Sequence, residues 1–432
     1  MWLRLSRMRM LVSNSRIPHH LRGVRRALCT SATSTAVKTN TAAHIGQGGH
    51  LSICMAKATG IIKVTTQWKD SCDIAVSRLA AVSTGGDDDD GNTEKESTSL
   101  NADRVGLSLT VDEASQEISL VHDEEWATPD DAGTYLIEAM VPELFSVDLL
   151  LGNGSISVLS KMKGECRIVL DEGDIDVGVI RGEHIELSTG SGRVNADELE
   201  GKVDIAATKV CARLINGAEV GIDATGEEPS VKVGGLYSSA AQIRSAGDVA
   251  VSACHGRLKV HTAGAMGGVT LSSVNGMAHV STGEGGAQVH VDVLEKGTSS
   301  HVRSDKGDIL VSMSQDVNAD MVITGNIGEL PASFQGDIQA TKALGTINGP
   351  ETRSSQGVRG LGYGVQDSGQ GKIDLAGARN QSLRQFFRND VGSSARPKLS
   401  ISAAKGSVGL ETLSWAENIA RKFTREQSSV DK

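Results

Sequence analysis

From Gly152 onward the chain repeats one short pattern: a Gly, a polar residue, then apolar residues alternating with polar ones. It reads GSISV at Gly154, GDIDV at Gly173, GRVNA at Gly192 and GKVDI at Gly201. It returns as GDVAV at Gly247, GRLKV at Gly256, GGVTL at Gly267, GMAHV at Gly276 and GDILV at Gly307. Looser copies begin at Gly164, Gly182 and Gly286, and with them the glycines stay 9 to 11 residues apart from Gly154 to Gly201 and from Gly247 to Gly286, a regularity that marks an internal repeat. Apolar residues at i and i+2 belong to a strand, because successive side chains of a strand point to opposite faces. Ile175 and Val177 therefore face one way and Asp174 and Asp176 the other, as do Val203 and Ile205 against Lys202 and Asp204.

A five-residue strand cannot stand alone. Stacking like strands places Val on Val and Ile on Ile and pairs every backbone group with the next coil. Two units make about 19 residues, the length of a coil with two or three strands turned by glycines. A helix is excluded by the period and by the cost of interior glycine, about 1 kcal/mol each. A β-sandwich also has strands every 8 to 12 residues, but nothing in a sandwich requires its strands to resemble one another. The predicted fold is all-β, a stacked β-solenoid of short Gly-punctuated strands with a C-terminal capping helix.

Composition agrees: aromatic residues make up 3% of the chain, and there are 50 Gly against 7 Pro. The core must then be built from Val, Ile, Leu and Ala with many tight turns. Segments 61–65, 105–111 and 135–151 also read as strands that start the solenoid or cover its open end. The domain reading is a mitochondrial presequence at 1–30, a linker at 31–50 and an N-terminal β region at 51–150 holding a disordered acidic loop at 83–101. Solenoid repeats follow at 151–345, then a loop-rich insertion at 346–398, final strands with an amphipathic capping helix at 399–424, and a disordered tail at 425–432. The helix is predicted from the capping-box sequence Ser414-Trp415-Ala416-Glu417, followed by Ile419 and Phe423 at helical spacing. Such a helix would hide the apolar edge of the last coil.

The first acidic residue is Asp70, and seven Arg precede it, from Arg4 to Arg26. That is how a mitochondrial presequence reads, and the expected address is the mitochondrial matrix. No run approaches the roughly 20 apolar residues of a membrane span. Loss of the seven Arg would take the formal charge from −10 to −17, since −10 − 7 = −17. A net acidic chain argues against nucleic acid or anionic lipid as a general partner. The six cysteines contain no C-x-x-C pair, which fits reduced thiols, and Cys166, alternating with Ile168 and Leu170, reads as a small core residue.

The G-[DSRK]-[IV]-x-[VL] units resemble an adhesin-like domain found in many bacterial proteins of unknown function. The closing residues Lys405-Gly406-Ser407-Val408-Gly409-Leu410, followed by Ser414-Trp415, resemble the end of the eukaryotic proteins named family with sequence similarity 185, member A. The resemblance spans about 105–423 and implies a β-solenoid; it carries no catalytic residues over.

Two clusters invite chemistry. Asp171, Glu172, Asp174 and Asp176 could serve a carbohydrate-active hydrolase or lyase, which needs paired carboxylates on one outer face. Arg193 and Lys202 at comparable places in later units read instead as an alternating charged surface. His255, His261, His279, His290 and His301 form the second group. By alternation His261, His279 and His290 point outward, where stacked imidazoles could take zinc or nickel, yet no carboxylate or thiol is evidently placed to complete a site. The acidic run Asp87 to Asp90 lacks the spaced ligands of a calcium site. There is no G-x-x-x-x-G-K-[ST], G-x-S-x-G or H-E-x-x-H. The expectation is a non-enzymatic binding or scaffold protein with no catalytic, cofactor or metal residues, whose polar face meets a protein or glycan. A self-associating structural protein is a further alternative.

Overall fold

The computed structural model describes residues 41–43, 48–79, 107–122, 134–264, 267–327, 338–342, 396–414, 416–417 and 420. The presequence, the acidic loop 83–101, most of the insertion 346–398 and the tail lie outside the described residues.

The strands are β1 (Thr41–Ala43), β2 (His50–Gln67), β3 (Cys72–Leu79), β4 (Leu107–Asp112), β5 (Glu117–His122), β6 (Thr134–Pro142) and β7 (Ser146–Val158). Then come β8 (Cys166–Ser191), β9 (Arg193–Ala207), β10 (Lys209–Ala224), β11 (Ser230–Ser245), β12 (Asp248–Thr262) and β13 (Val269–Thr282). The last are β14 (Ala287–Leu294), β15 (Ser299–Ser304), β16 (Ile309–Ser314), β17 (Asp320–Ile327), β18 (Ile338–Lys342) and β19 (Lys398–Leu413). From β7 to β13 each pairs with the next, parallel and nearly in register. This is the β-solenoid expected from the repeat.

Each coil carries three runs of inward side chains. One coil has Ile185 and Leu187, then Val194 and Ala196, then Leu199; the next has Val203 and Ile205, Val210 and Ala212, then Ile215. All are buried. The offset from coil to coil is 17 residues between Val203 and Val220 and 21 between Val220 and Ala241. The middle run stacks Ile156, Ile175, Val194, Val210, Val231, Val249 and Val269 into one aliphatic column. Removing each such side chain from water contributes about 1.5–3 kcal/mol. Cys166 and Cys254 sit in these columns as core residues, and burial pushes the Cys254 thiol up to about 12.

The corners explain the glycines. Gly60, Gly154 and Gly173 are register neighbours, and Gly154, Gly173 and Gly192 have φ of +131°, +129° and +150°. A Cβ on Gly173 would lie 1.8 Å from the Gly154 carbonyl oxygen. Only glycine both adopts that φ and lets the coils approach to the strand spacing of about 4.8 Å.

Both ends depart from chain order. β2 pairs with β5 and β6 on one side and with β7 on the other, so the earliest long strand lies between two coils that follow it in sequence. Antiparallel β3 and β4 close this end against β6 and β5. At the far end, β19 is interposed: Ile401 lies between Val302 of β15 and Ile323 of β17. Its second half pairs with β16. The final strand of the described chain is therefore an inner layer of the stack, and β17 and β18 lie beyond it. Ser414 and Glu417 do form the reciprocal capping-box bonds, Glu417 N donating to Ser414 Oγ at 3.3 Å and Ser414 N to Glu417 Oε2 at 2.7 Å. The body of the proposed capping helix lies outside the described residues.

Candidate binding face

The outward side chains between the inward residues form ladders from coil to coil. On the side that carries Asp148, Arg167 and Glu186, the guanidinium of Arg167 lies 3.5 Å from Asp148 and 3.2 Å from Glu186. Lys202 lies 3.5 Å from Glu219 one coil on. On the neighbouring side Arg181 bonds Glu198 at 2.9 Å and Glu200 at 3.0 Å, and Arg213 bonds Asp197 and Glu198. Through β10 the charges alternate and close against each other. Exposed pairs of this kind contribute about 0–1 kcal/mol each, so they set the surface more than they hold the fold.

The acidic cluster belongs to the same system. The Asp174 carboxylate accepts from the Arg193 backbone N–H at 2.9 Å and lies 3.4 Å from its guanidinium. Asp176 accepts from Asn195 Nδ2 at 2.7 Å. Asp171 and Glu172 stand exposed at the corner. The two carboxylates that alternation places on one wet side thus each bond the next coil.

The histidines divide into four environments. His279 and His301 are register neighbours whose rings meet edge to face at 4.8 Å, with His279 Nε2 2.7 Å from the Ser299 carbonyl oxygen. His255 stacks flat on Tyr237, centroids 4.6 Å apart. His261 is half-buried, and burial, followed by Lys259 and Arg244 beside it, lowers its pKa.

His290 differs from the expectation: its position alternates outward, but the residue is 5% exposed. The register slips where β13 meets β14, between Leu271 and Val274, and the extra residue turns Ser273 toward the same notch. There His290 Nδ1 lies 2.8 Å from Ser312 Oγ and Nε2 3.1 Å from Asp292 Oδ1. Ser273 donates to Asp292 Oδ2, and Ser314 donates to Oδ1 at 3.3 Å. With Nε2–H donating to Asp292, Nδ1 accepts from Ser312, and every group in the network is used. The order Ser, His, Asp resembles a nucleophile with its base, but Ser312 is 6% exposed. The nearby groove, lined by Thr270, Gln288, Asp308 and Ser407 among others, includes neither Ser312 nor His290. The network therefore acts as a cross-coil clamp. Sequence reading missed Asp292 as its carboxylate, although alternation places it two residues along on the same face of β14; the register slip brings Ser273 to it.

Among the described residues no group of three or more His, Cys, Asp or Glu is placed to hold a metal, and no helix is long and apolar enough to cross a membrane. No family model and no curated protein matches the chain. Among solved structures, a candidate cell adhesion protein from Clostridium sporogenes aligns over 88% of this chain and 100% of its own, at 6% identity and a TM-score of 0.18. A likeness at that score carries no argument about fold or function.

Proposed function

We propose that the chain is a non-enzymatic, adhesin-like binding or scaffold solenoid that works in the mitochondrion. The observation that carries this reading is the use of its polar residues. Through β10 most carboxylates and guanidiniums, Asp174 and Asp176 among them, bond a neighbouring coil, the buried His290 bonds Ser312 of the next, and what faces outward is a set of registered sides. Such surfaces suit an extended partner better than a small substrate, which calls for a concave pocket with a few convergent polar groups. The Arg-rich, acid-free stretch before Asp70 supports the mitochondrial address, and the resemblance to the eukaryotic family with sequence similarity 185, member A, supports the solenoid architecture and leaves the activity open.

Proximity labelling from the full chain, with the label fused after Lys432, tests both parts. The reading expects a reproducible set of mitochondrial neighbours that is lost when residues 1–40 are removed. Labelling confined to another compartment would overturn the address. Glycan hydrolysis by the purified protein that disappears in Asp174→Asn or Asp176→Asn would overturn the non-enzymatic reading.

A further inference from the structure

The charge pattern along one side of the solenoid changes sign. Through β10 its outward positions mix both signs, with Asp148, Glu186, Asp204, Glu219 and Asp223 against Arg167 and Lys202. From β11 through β12, β13 and β15 to β19, the outward positions on that side are basic, imidazole, amide or hydroxyl, except for the buried apolar pair Ala240 and Met277. Arg244, Lys259, Arg303 and Lys398 supply four cations, and Arg257 a fifth that pairs with Glu295 at 3.6 Å. His261, His279 and His301 lie among them, and Gln242, Ser281, Ser299, Ser400 and Ser402 fill the rest. Carboxylates occur only at the rim. Asp223 is the register neighbour of Arg244, Asp305 bonds Arg303 at 3.0 Å, and Asp320 lies 3.8 Å from Arg396.

The array is two-dimensional. Five stacked strands at about 4.8 Å span roughly 19 Å along the axis, and the positions 398, 400 and 402 span about 13 Å across it. A linear polyanion would need only one ladder of charges. Single-stranded nucleic acid would call for aromatic stacking platforms, and among the described residues this side carries no Phe, Tyr or Trp at its outward positions. A planar array of cations is complementary to a planar array of anions. We infer that this side of the solenoid docks on the phosphate headgroups of an anionic phospholipid membrane. Val322, 41% exposed one layer beyond Ser400, supplies an apolar contact at its edge. The net negative charge argues against anionic lipid as a partner of the whole surface, but not of this one side, because charges more than about 8 Å away are screened at physiological salt. The inference deepens the binding reading by naming a partner.

The test is lysine acylation of the full chain with vesicles of phosphatidylcholine alone or with about 30% phosphatidylserine, since each Lys or Arg near such a surface strengthens binding about fivefold. The anionic vesicles should protect Lys259 and Lys398 and leave Lys202 and Lys209 reactive. Lys259→Gln with Lys398→Gln should weaken vesicle binding by about 25-fold, roughly fivefold for each cation, and Lys202→Gln with Lys209→Gln should not. The inference fails if Lys259 and Lys398 stay reactive on the vesicles, which is also the outcome if only the Arg-rich N-terminus binds. It fails equally if a sulfated glycan or an oligonucleotide protects them and vesicles do not, or if the folded double variant binds like the parent. The footprint on the unaltered chain decides the matter if that variant does not fold. Failure here removes lipid as the partner and leaves the binding reading to proximity labelling.

Discussion

Substituting Gly173 by Ala tests the corner geometry at its tightest point. At φ +129° an L-residue is strained, at a cost of about 1–3 kcal/mol. The new Cβ would also stand 1.8 Å from the Gly154 carbonyl oxygen, so the two coils must separate locally by more than 1 Å, on the order of a quarter of their spacing. One or two of the ladder hydrogen bonds beside the corner would then be lost, at about 1 kcal/mol each. The sum is about 2–5 kcal/mol. Because each coil touches only its neighbours, the damage should stay local. Hydrogen–deuterium exchange should accelerate in peptides covering 147–158 and 166–196 and remain at parent rates in β11 and β12. Gly268→Ala is the control: its Cβ would meet nothing nearer than 3.5 Å, and a change within about 0.5 kcal/mol is expected. Parent-like exchange and melting in Gly173→Ala would refute the stacked-corner reasoning.

The repeat was legible because a solenoid writes its structure locally. The i, i+2 alternation from Ile175 to Val177 and the corner glycines each answer to a constraint within one coil and its neighbour. The order of the coils was not legible. Nothing in the residues of β19 distinguishes a terminal layer from one interposed between β15 and β17, since Ile401 presents the same aliphatic surface to Val302 below and Ile323 above. The placing of β2 between β5 with β6 and β7 was hidden for the same reason. Alternation gave the direction of His290 correctly but not its burial, because a one-residue register slip in β13 lies below the resolution of a period-two pattern. The cationic array was likewise invisible, since it assembles single residues about 20 apart, and 95 positions apart between Arg303 and Lys398.

Three further outcomes are expected. His290→Ala should lower stability by about 1–3 kcal/mol for each buried partner left unbonded, read by thermal unfolding; an unchanged melting temperature would remove the clamp. Alkylation of the native protein near pH 8 should modify exposed Cys211 well before Cys72 and Cys254, whose thiols burial raises to about 12 and so keeps protonated; equal rates would mean that those two are not core residues. Ser407 donates to Asp308 through both its backbone N–H and its hydroxyl at 2.8 Å, and those bonds hold the Asp308 carboxyl below the usual range. Asp308→Ala should therefore speed exchange in β19 and leave β9 untouched, and protonating Asp308 should do the same as pH falls below its ordinary range.

The interposed strand gives the most direct test of the stack itself. His301→Cys with Ser400→Cys places two thiols on register neighbours, within the reach of about 4.4–6.8 Å between Cα atoms that a disulfide requires. His301→Cys with Val322→Cys places them two layers apart, about 9.6 Å. Under mild oxidation the first pair should form an intramolecular disulfide, identified by mass spectrometry, and the second should not. A disulfide in the second pair and none in the first would mean that β17 follows β15 directly, and the layering described for this protein would be wrong.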